Sequence, residues 1–259
     1  MEKFIYRKSA GVTALSVSMK DFTYKKHAHR EYALGVTLRG IQQYNLDGHN
    51  QLSYPNGVML FNPEQPHDGM AYDDDGLDYV MLYIEPELML EMTEQKEVFL
   101  FSNPIVYNGE LERKIVNLST AVLNQRDEAL CYELLVSLID SLTLIEMKTS
   151  YRKADPFVSK AKEMMHASLH SVLKLDEICK ELQLSKFKFI RLFKQHTGIS
   201  PYQYFLNGKV ELAKHILEKS RDVYMAVAAC GFVDLAHMNR HFKHSYGITA
   251  YEYMQFFKW

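Results

Sequence analysis

The segment FKQHTGISPYQY, Phe193 to Tyr204, returns 49 residues later as FKHSYGITAYEY, Phe242 to Tyr253, with six of the twelve positions identical. Each copy reads as helix, stop, cap, helix. Gly198 and Gly247 stand where a helix end needs a residue that tolerates positive φ. Ser200 and Thr249 each precede Gln203 or Glu252 by three residues, the spacing of a capping box, and Pro201 suits a first helical position. A chain that repeats such a junction must build two related helical units.

The residues upstream of each copy extend the repeat. LKLDEICKELQL reads as a short helix with Leu175, Ile178 and Leu182 inward, followed by SKFKFIRLFKQHT with Ser185 as N-cap. Forty-nine residues on, Val227 replaces Ile178, Gly231 supplies a tight turn, Asp234 caps, and Arg240 aligns with Arg191. Two helices joined by a turn of three or four residues, the second amphipathic and basic, form a helix-turn-helix, and this chain has two.

Charge agrees with that division. Residues 1–155 hold 15 Lys and Arg against 23 Asp and Glu, whereas residues 156–259 hold 15 against 9. A basic half suits a polyanion, because Lys and Arg that neutralise phosphates release condensed counterions. With 47% hydrophobic residues, 259 residues suffice for two domains. No secretory leader or membrane span is expected, and the cysteines Cys131, Cys179 and Cys230 lack metal-like spacing, which favours a cytoplasmic location.

Residues 12–84 carry strand signals: VTALSVSM, YALGVTLRG, IQQYNLDGHNQLSY with Asp47-Gly48 as a hairpin turn, VMLFNP and LDYVMLYI. After Pro86 the pattern becomes helical in ELMLEMTEQ, ELERKIVNLSTAVLNQ and EALCYELLVSLIDSLTLIEMK, the last with a stripe of Leu130, Leu134, Leu135, Leu138, Leu142 and Ile145. The expected domains are 1–150, a linker at 151–156, and 157–259.

The C-terminal hundred residues resemble the DNA-binding domain of AraC/XylS-type transcriptional regulators: two helix-turn-helix units joined by a longer helix, about YQYFLNGKVELAKHILEKS, with Gly231-Phe232 opening the second turn. Departures from the family pattern are Lys209 for arginine, Cys179 for alanine and Ala250 for the second proline. The implied fold is α+β: an N-terminal cupin-like β-barrel followed by helices, then an all-α double helix-turn-helix. The resemblance implies a regulator of transcription, more often an activator than a repressor, that binds double-stranded DNA and a small-molecule effector. It further implies a homodimer, with RNA polymerase as another candidate partner.

With Phe189, Leu192 and Phe193 inward, Lys186, Phe187, Lys188, Ile190 and Arg191 are left for DNA; with Met238 and Phe242 inward, so are Leu235, Ala236, His237, Asn239, Arg240 and Lys243. Arginine suits bidentate contact to guanine, and lysine suits phosphate. His237, His241 and His244 have helical spacing, but no third Cys or carboxylate follows in register, so no metal is expected there.

In the first half, HAHREYALGVTLRG and NGVMLFNPEQPHDG resemble the cupin sensor of this family, with His27, His29 and Glu31 on one strand face and His67 after a Pro-rich turn. Cupin metalloenzymes use two histidines, a glutamate and a third histidine, but Glu31 follows His29 by two residues where that motif spaces them by four. A cupin enzyme with a DNA-binding appendage is the alternative reading; no cofactor is expected in the preferred one. Effector contacts are assigned to Tyr79 and Tyr83, on one face of LDYVMLYI, with His29, His67 and Arg39.

Overall fold

The computed structural model describes residues 2–95, 97–143, 147–149 and 155–257, and these divide into two compact units, one of residues up to 24 and from 29 to 149, the other of residues 25–28 and from 155 onward. Strands β1 (Lys3–Ser9), β2 (Val12–Met19), β3 (Thr23–His27), β4 (Tyr32–Arg39), β5 (Gln42–Leu46), β6 (His49–Ser53), β7 (Val58–Phe61), β8 (His67–Ala71) and β9 (Leu77–Ile84) lead into helix α1 (Pro86–Thr93). Then come β10 (Phe99–Phe101), β11 (Ile105–Val106), α2 (Gly109–Leu123), α3 (Glu128–Leu142) and β12 (Met147–Thr149).

Two larger sheets and a two-stranded one, β10-β12, lie in the first unit. Of the larger two, one has six strands in the order β1-β2-β9-β4-β7-β11, the other four in the order β3-β8-β5-β6. Alternation along β9 decides what each face meets. Val80, Leu82 and Ile84 join Val12, Leu34, Val36 and Val58 in a core against Leu111, Ile115 and Leu118 of α2 and Leu135, Leu138 and Leu142 of α3. Tyr79, Met81 and Tyr83 take the opposite face, which meets the four-stranded sheet: the Tyr79 hydroxyl donates to that of Tyr24 on β3 at 2.9 Å. Central strands buried on both faces read as continuous apolar runs, as YALGV and VMLF do.

Three sequence expectations change here. The buried stripe of α3 runs through Cys131, Leu135, Leu138, Ile139 and Leu142, while Leu130 is 43% exposed and Leu134 half-buried. Ile145 lies outside the described residues. The helix read to residue 148 stops at Leu142, and Met147–Thr149 pairs antiparallel with Phe99–Phe101. Strand β8, HDGMA, has no β-branched residue and contains Gly69; pairing with β5 recruits it.

The second unit is helical: α4 (Pro156–Ala167), α5 (Leu175–Glu181), α6 (Lys186–Thr197), α7 (Pro201–Ser220), α8 (Val223–Ala229), α9 (Leu235–Tyr246) and α10 (Ala250–Gln255). Residues 151–154 of the expected linker lie outside the described residues, while Asp155 caps α4 by accepting from the amides of Phe157 and Val158. Gly198 and Gly247 close α6 and α9 at φ of 73° and 78°. Of the two expected capping boxes, the one at Thr249 and Glu252 forms reciprocally; at Ser200 the hydroxyl accepts from the Gln203 amide.

The repeat also carries a register change. Buried Ile178 of α5 is matched in α8 by buried Ala226, 48 residues on, and not by Val227, which is half-buried. Phe189 and Phe193 of α6 are matched 49 residues on by Met238 and Phe242 of α9. The second turn, 230–234, is one residue longer than the first, 182–185.

Candidate functional site

Helix α6 turns Phe189 and Phe193 fully inward and keeps Leu192 half-buried. Lys186, Phe187, Lys188, Ile190 and Arg191 all lie exposed along the opposite side. Ser185 holds the helix start, its hydroxyl accepting from the Lys188 amide at 3.3 Å. An aromatic ring that is 72% exposed at Phe187 is unusual, and the Arg191 guanidinium stacks on it at 5.7 Å from the ring centre. The Lys186 ammonium pairs with Asp176 of α5 at 2.6 Å, and that bond holds its pKa above the ordinary lysine range. This face carries three cations, one of them paired with Asp176, and two apolar side chains.

Helix α9 is built the same way but presents fewer free groups. Met238 and Phe242 are buried, and Ala236, Arg240 and Lys243 are exposed. Leu235, His237 and Asn239, read from the sequence as exposed, are half-buried. The His237 ring packs edge-on against His241 at 4.9 Å and Phe232 at 5.5 Å. Asn239 Oδ1 accepts the Ala250 amide proton at 3.0 Å. Among the described residues no group of three or more His, Cys, Asp or Glu is placed to hold a metal ion.

In the first unit the facing sheets bring His29, His67, Tyr79 and Tyr83 to one interior. The ring centres of His29 and His67 are 5.0 Å apart, and those of His29 and Tyr83 5.3 Å. Nδ1 of His29 lies 3.0 Å from the Glu31 carbonyl oxygen and Nδ1 of His67 lies 2.9 Å from that of Gln65. A carbonyl oxygen only accepts, so each Nδ1 carries the proton and, in the neutral ring, Nε2 keeps the lone pair. His27 follows the same rule, with Nδ1 2.8 Å from the Lys25 carbonyl oxygen.

Arg39 is not brought there. A register shift between Thr37 and Arg39 turns it to the rim, where it donates to Asp78 at 2.6 Å and to the Asp75 carbonyl oxygen at 2.6 Å with the side chain 54% exposed. The interior includes groups the sequence reading passed over. Tyr24 hydrogen-bonds Tyr79, and the Phe61 ring packs at a tilt against His67, with centres 4.4 Å apart, and against Tyr44 at 5.0 Å. Burial, then the neighbouring Tyr79, Tyr6 and Tyr83, push the Tyr24 phenol well above the ordinary range. The segment TYKKH gave no alternation that would have singled Tyr24 out.

Comparison with known proteins agrees with both units. Residues 9–139 match the family described as AraC-like ligand binding domain, and residues 178–255 match a helix-turn-helix domain. The chain is 25% identical over 223 residues to the uncharacterized HTH-type transcriptional regulator YbfI of Bacillus subtilis, covering 83% of this chain and 81% of that protein. It is 22% identical over 244 residues to LumQ of Photobacterium leiognathi, a probable transcriptional regulator, covering 92% and 94% of the two chains. The fold is also that of unsaturated-fatty-acid-bound ToxT from Vibrio cholerae, with a TM-score of 0.62, 11% identity and 96% of each chain covered. No helix among the described residues is long and apolar enough to cross a membrane. The chain therefore belongs to the AraC-type transcriptional regulators, with a ligand-binding domain followed by a DNA-binding helix-turn-helix domain.

Proposed function

We propose that the regulator recognises its operator by laying α6 and α9 in successive major grooves, about 34 Å apart on one face of the duplex. The observation that carries this reading is the exposed edge of α6, where the Arg191 guanidinium lies over the Phe187 ring beside Lys186 and Lys188. Arg191 and Arg240 contact guanine, Phe187 packs on a thymine methyl or sugar, and the lysines contact phosphates. A small molecule held among His29, His67, Tyr79 and Tyr83 modulates that binding, and Tyr24 joins this set. ToxT, which shares the fold, has been solved with an unsaturated fatty acid bound, which supports a small-molecule role for the first unit. The protein acts in the cytoplasm as a homodimer and activates transcription, with RNA polymerase as partner.

The test is binding to a selected operator and to random DNA. Arg191→Ala and Arg240→Ala should each weaken operator binding by about 1–3 kcal/mol and relax base preference. Equal losses on both DNAs would reassign these residues to phosphate. His67→Ala should change the response to an effector found by thermal-shift screening while leaving effector-free operator affinity in place.

A further inference from the structure

Of the positions at which the two repeated helices differ, one is coupled to a second difference at the start of the helix that follows. Relating Phe193 to Phe242 also relates Ile190 to Asn239 and Pro201 to Ala250. In the first copy, helix α7 begins with Pro201, which has no amide proton and needs no acceptor. In the second, α10 begins with Ala250, which is fully buried and does carry an N–H. A buried amide without a partner is costly, and first-turn amides of a helix have none within the helix. Asn239 supplies it: its Oδ1 accepts the Ala250 proton at 3.0 Å. Where the first copy has proline, the apolar Ile190 occupies the matching place.

We propose that Asn239 is a positioning residue that ties α9 to the start of α10, and that it does not read a base. This rests on α9 being a groove helix. Asparagine reads adenine with both ends of its amide, Oδ1 accepting from N6 while Nδ2 donates to N7. Here Oδ1 is already committed and the side chain is half-buried. The reading edge of α9 then reduces to Ala236 and Arg240, with Lys243 toward the backbone. Asn239 and Ala250 act as one exchangeable unit, and Ile190 with Pro201 is the other version of it.

The experiment writes the first copy into the second. Full-length wild type, Asn239→Ile, Ala250→Pro and the double variant are compared by thermal melting and by binding to a panel of single-base operator variants. Asn239→Ile should lower the melting temperature by several degrees and reduce affinity by a similar factor across the whole panel, leaving base preference as in wild type. The double variant should return both to within about twofold of wild-type affinity and near the wild-type melting temperature. Asn239→Asp, which keeps an oxygen acceptor and loses Nδ2, should melt like wild type. A double variant that melts normally yet has lost its preference at one base pair would overturn the proposal and make Asn239 a reader. So would an Asn239→Ile variant with unchanged melting. If wild type shows no preferred operator, the groove reading fails, while the melting cycle still decides whether the Asn239–Ala250 bond positions α9.

Discussion

The ammonium of Lys209, on α7, donates to the carbonyl oxygen of Gly231 at 3.0 Å and lies 5.2 Å and 5.5 Å from the ring centres of Phe205 and Phe232. One side chain thus fixes the turn of the second helix-turn-helix to the long connecting helix. It stands where the family usually has arginine, and it is buried. Lys209→Met keeps the stem but leaves the Gly231 carbonyl unpaired and removes both cation–π contacts, at about 1–3 kcal/mol in denaturant unfolding. Burial lowers the Lys209 pKa, so at the alkaline end the folded state binds fewer protons than the unfolded one. Relative to Lys209→Met, wild type should therefore gain stability as pH rises from the lowered value toward the ordinary ~10.4.

Gly231 has φ of +58°, and a Cβ built on it would sit 2.3 Å from the His170 carbonyl oxygen. Both the backbone conformation and the contact with main chain oppose any side chain. Gly231→Ala should cost more than about 2 kcal/mol and weaken operator binding, read by thermal melting and fluorescence anisotropy.

Arg39 and Asp78 make a rim ion pair at 2.6 Å with side chains 54% and 31% exposed. Solvent screens such an exposed pair, so it adds little to stability at neutral pH. The Arg39 hydrogen bond holds the Asp78 carboxyl below its ordinary range, so its contribution is full above the ordinary ~3.9 and is lost as pH falls through the lowered value. Arg39→Ala should therefore differ little from wild type at pH 7 and converge with it in strong acid. Its effector midpoint in a thermal-shift titration should be unchanged.

Burial raises the pKa of Tyr24, Tyr32, Tyr44 and Tyr79 above the ordinary range. Below the ordinary ~10 these groups cost nothing; above it the unfolded chain releases protons that the folded one keeps, and stability falls. Absorbance at 295 nm should show these four ionising only together with alkaline unfolding, tracked by far-ultraviolet circular dichroism. Tyr79→Phe removes the donor to Tyr24 and should cost about 1 kcal/mol in the same unfolding measurement.

Much of the second unit was legible because its signals are local. Ser185, Ser200, Asp234 and Thr249 each accept from a backbone amide as their spacing implied, and Gly198 and Gly247 take the positive φ that ends a helix. Phe189, Phe193, Met238 and Phe242 sit on the inward face that helical periodicity assigned them. In the first unit, alternation correctly separated Tyr79, Met81 and Tyr83 from Val80 and Leu82. It did not find β1, β3, β8, β10, β11 or β12; β8 and β12 are recruited by pairing with β5 and β10 and carry no pattern of their own.

The amino-acid order alone determined the caps and glycine stops of the second unit's helices, their most deeply buried positions and the twofold repeat, because these depend on residues within a few positions of one another. Only the tertiary structure decided that Arg39 pairs at the rim, that Tyr24 meets Tyr79, that Ala226 and not Val227 matches Ile178, and that Asn239 turns toward Ala250. Each of those depends on the lateral packing of segments distant in sequence, where a one-residue change in a turn or strand register redirects a side chain from solvent to core.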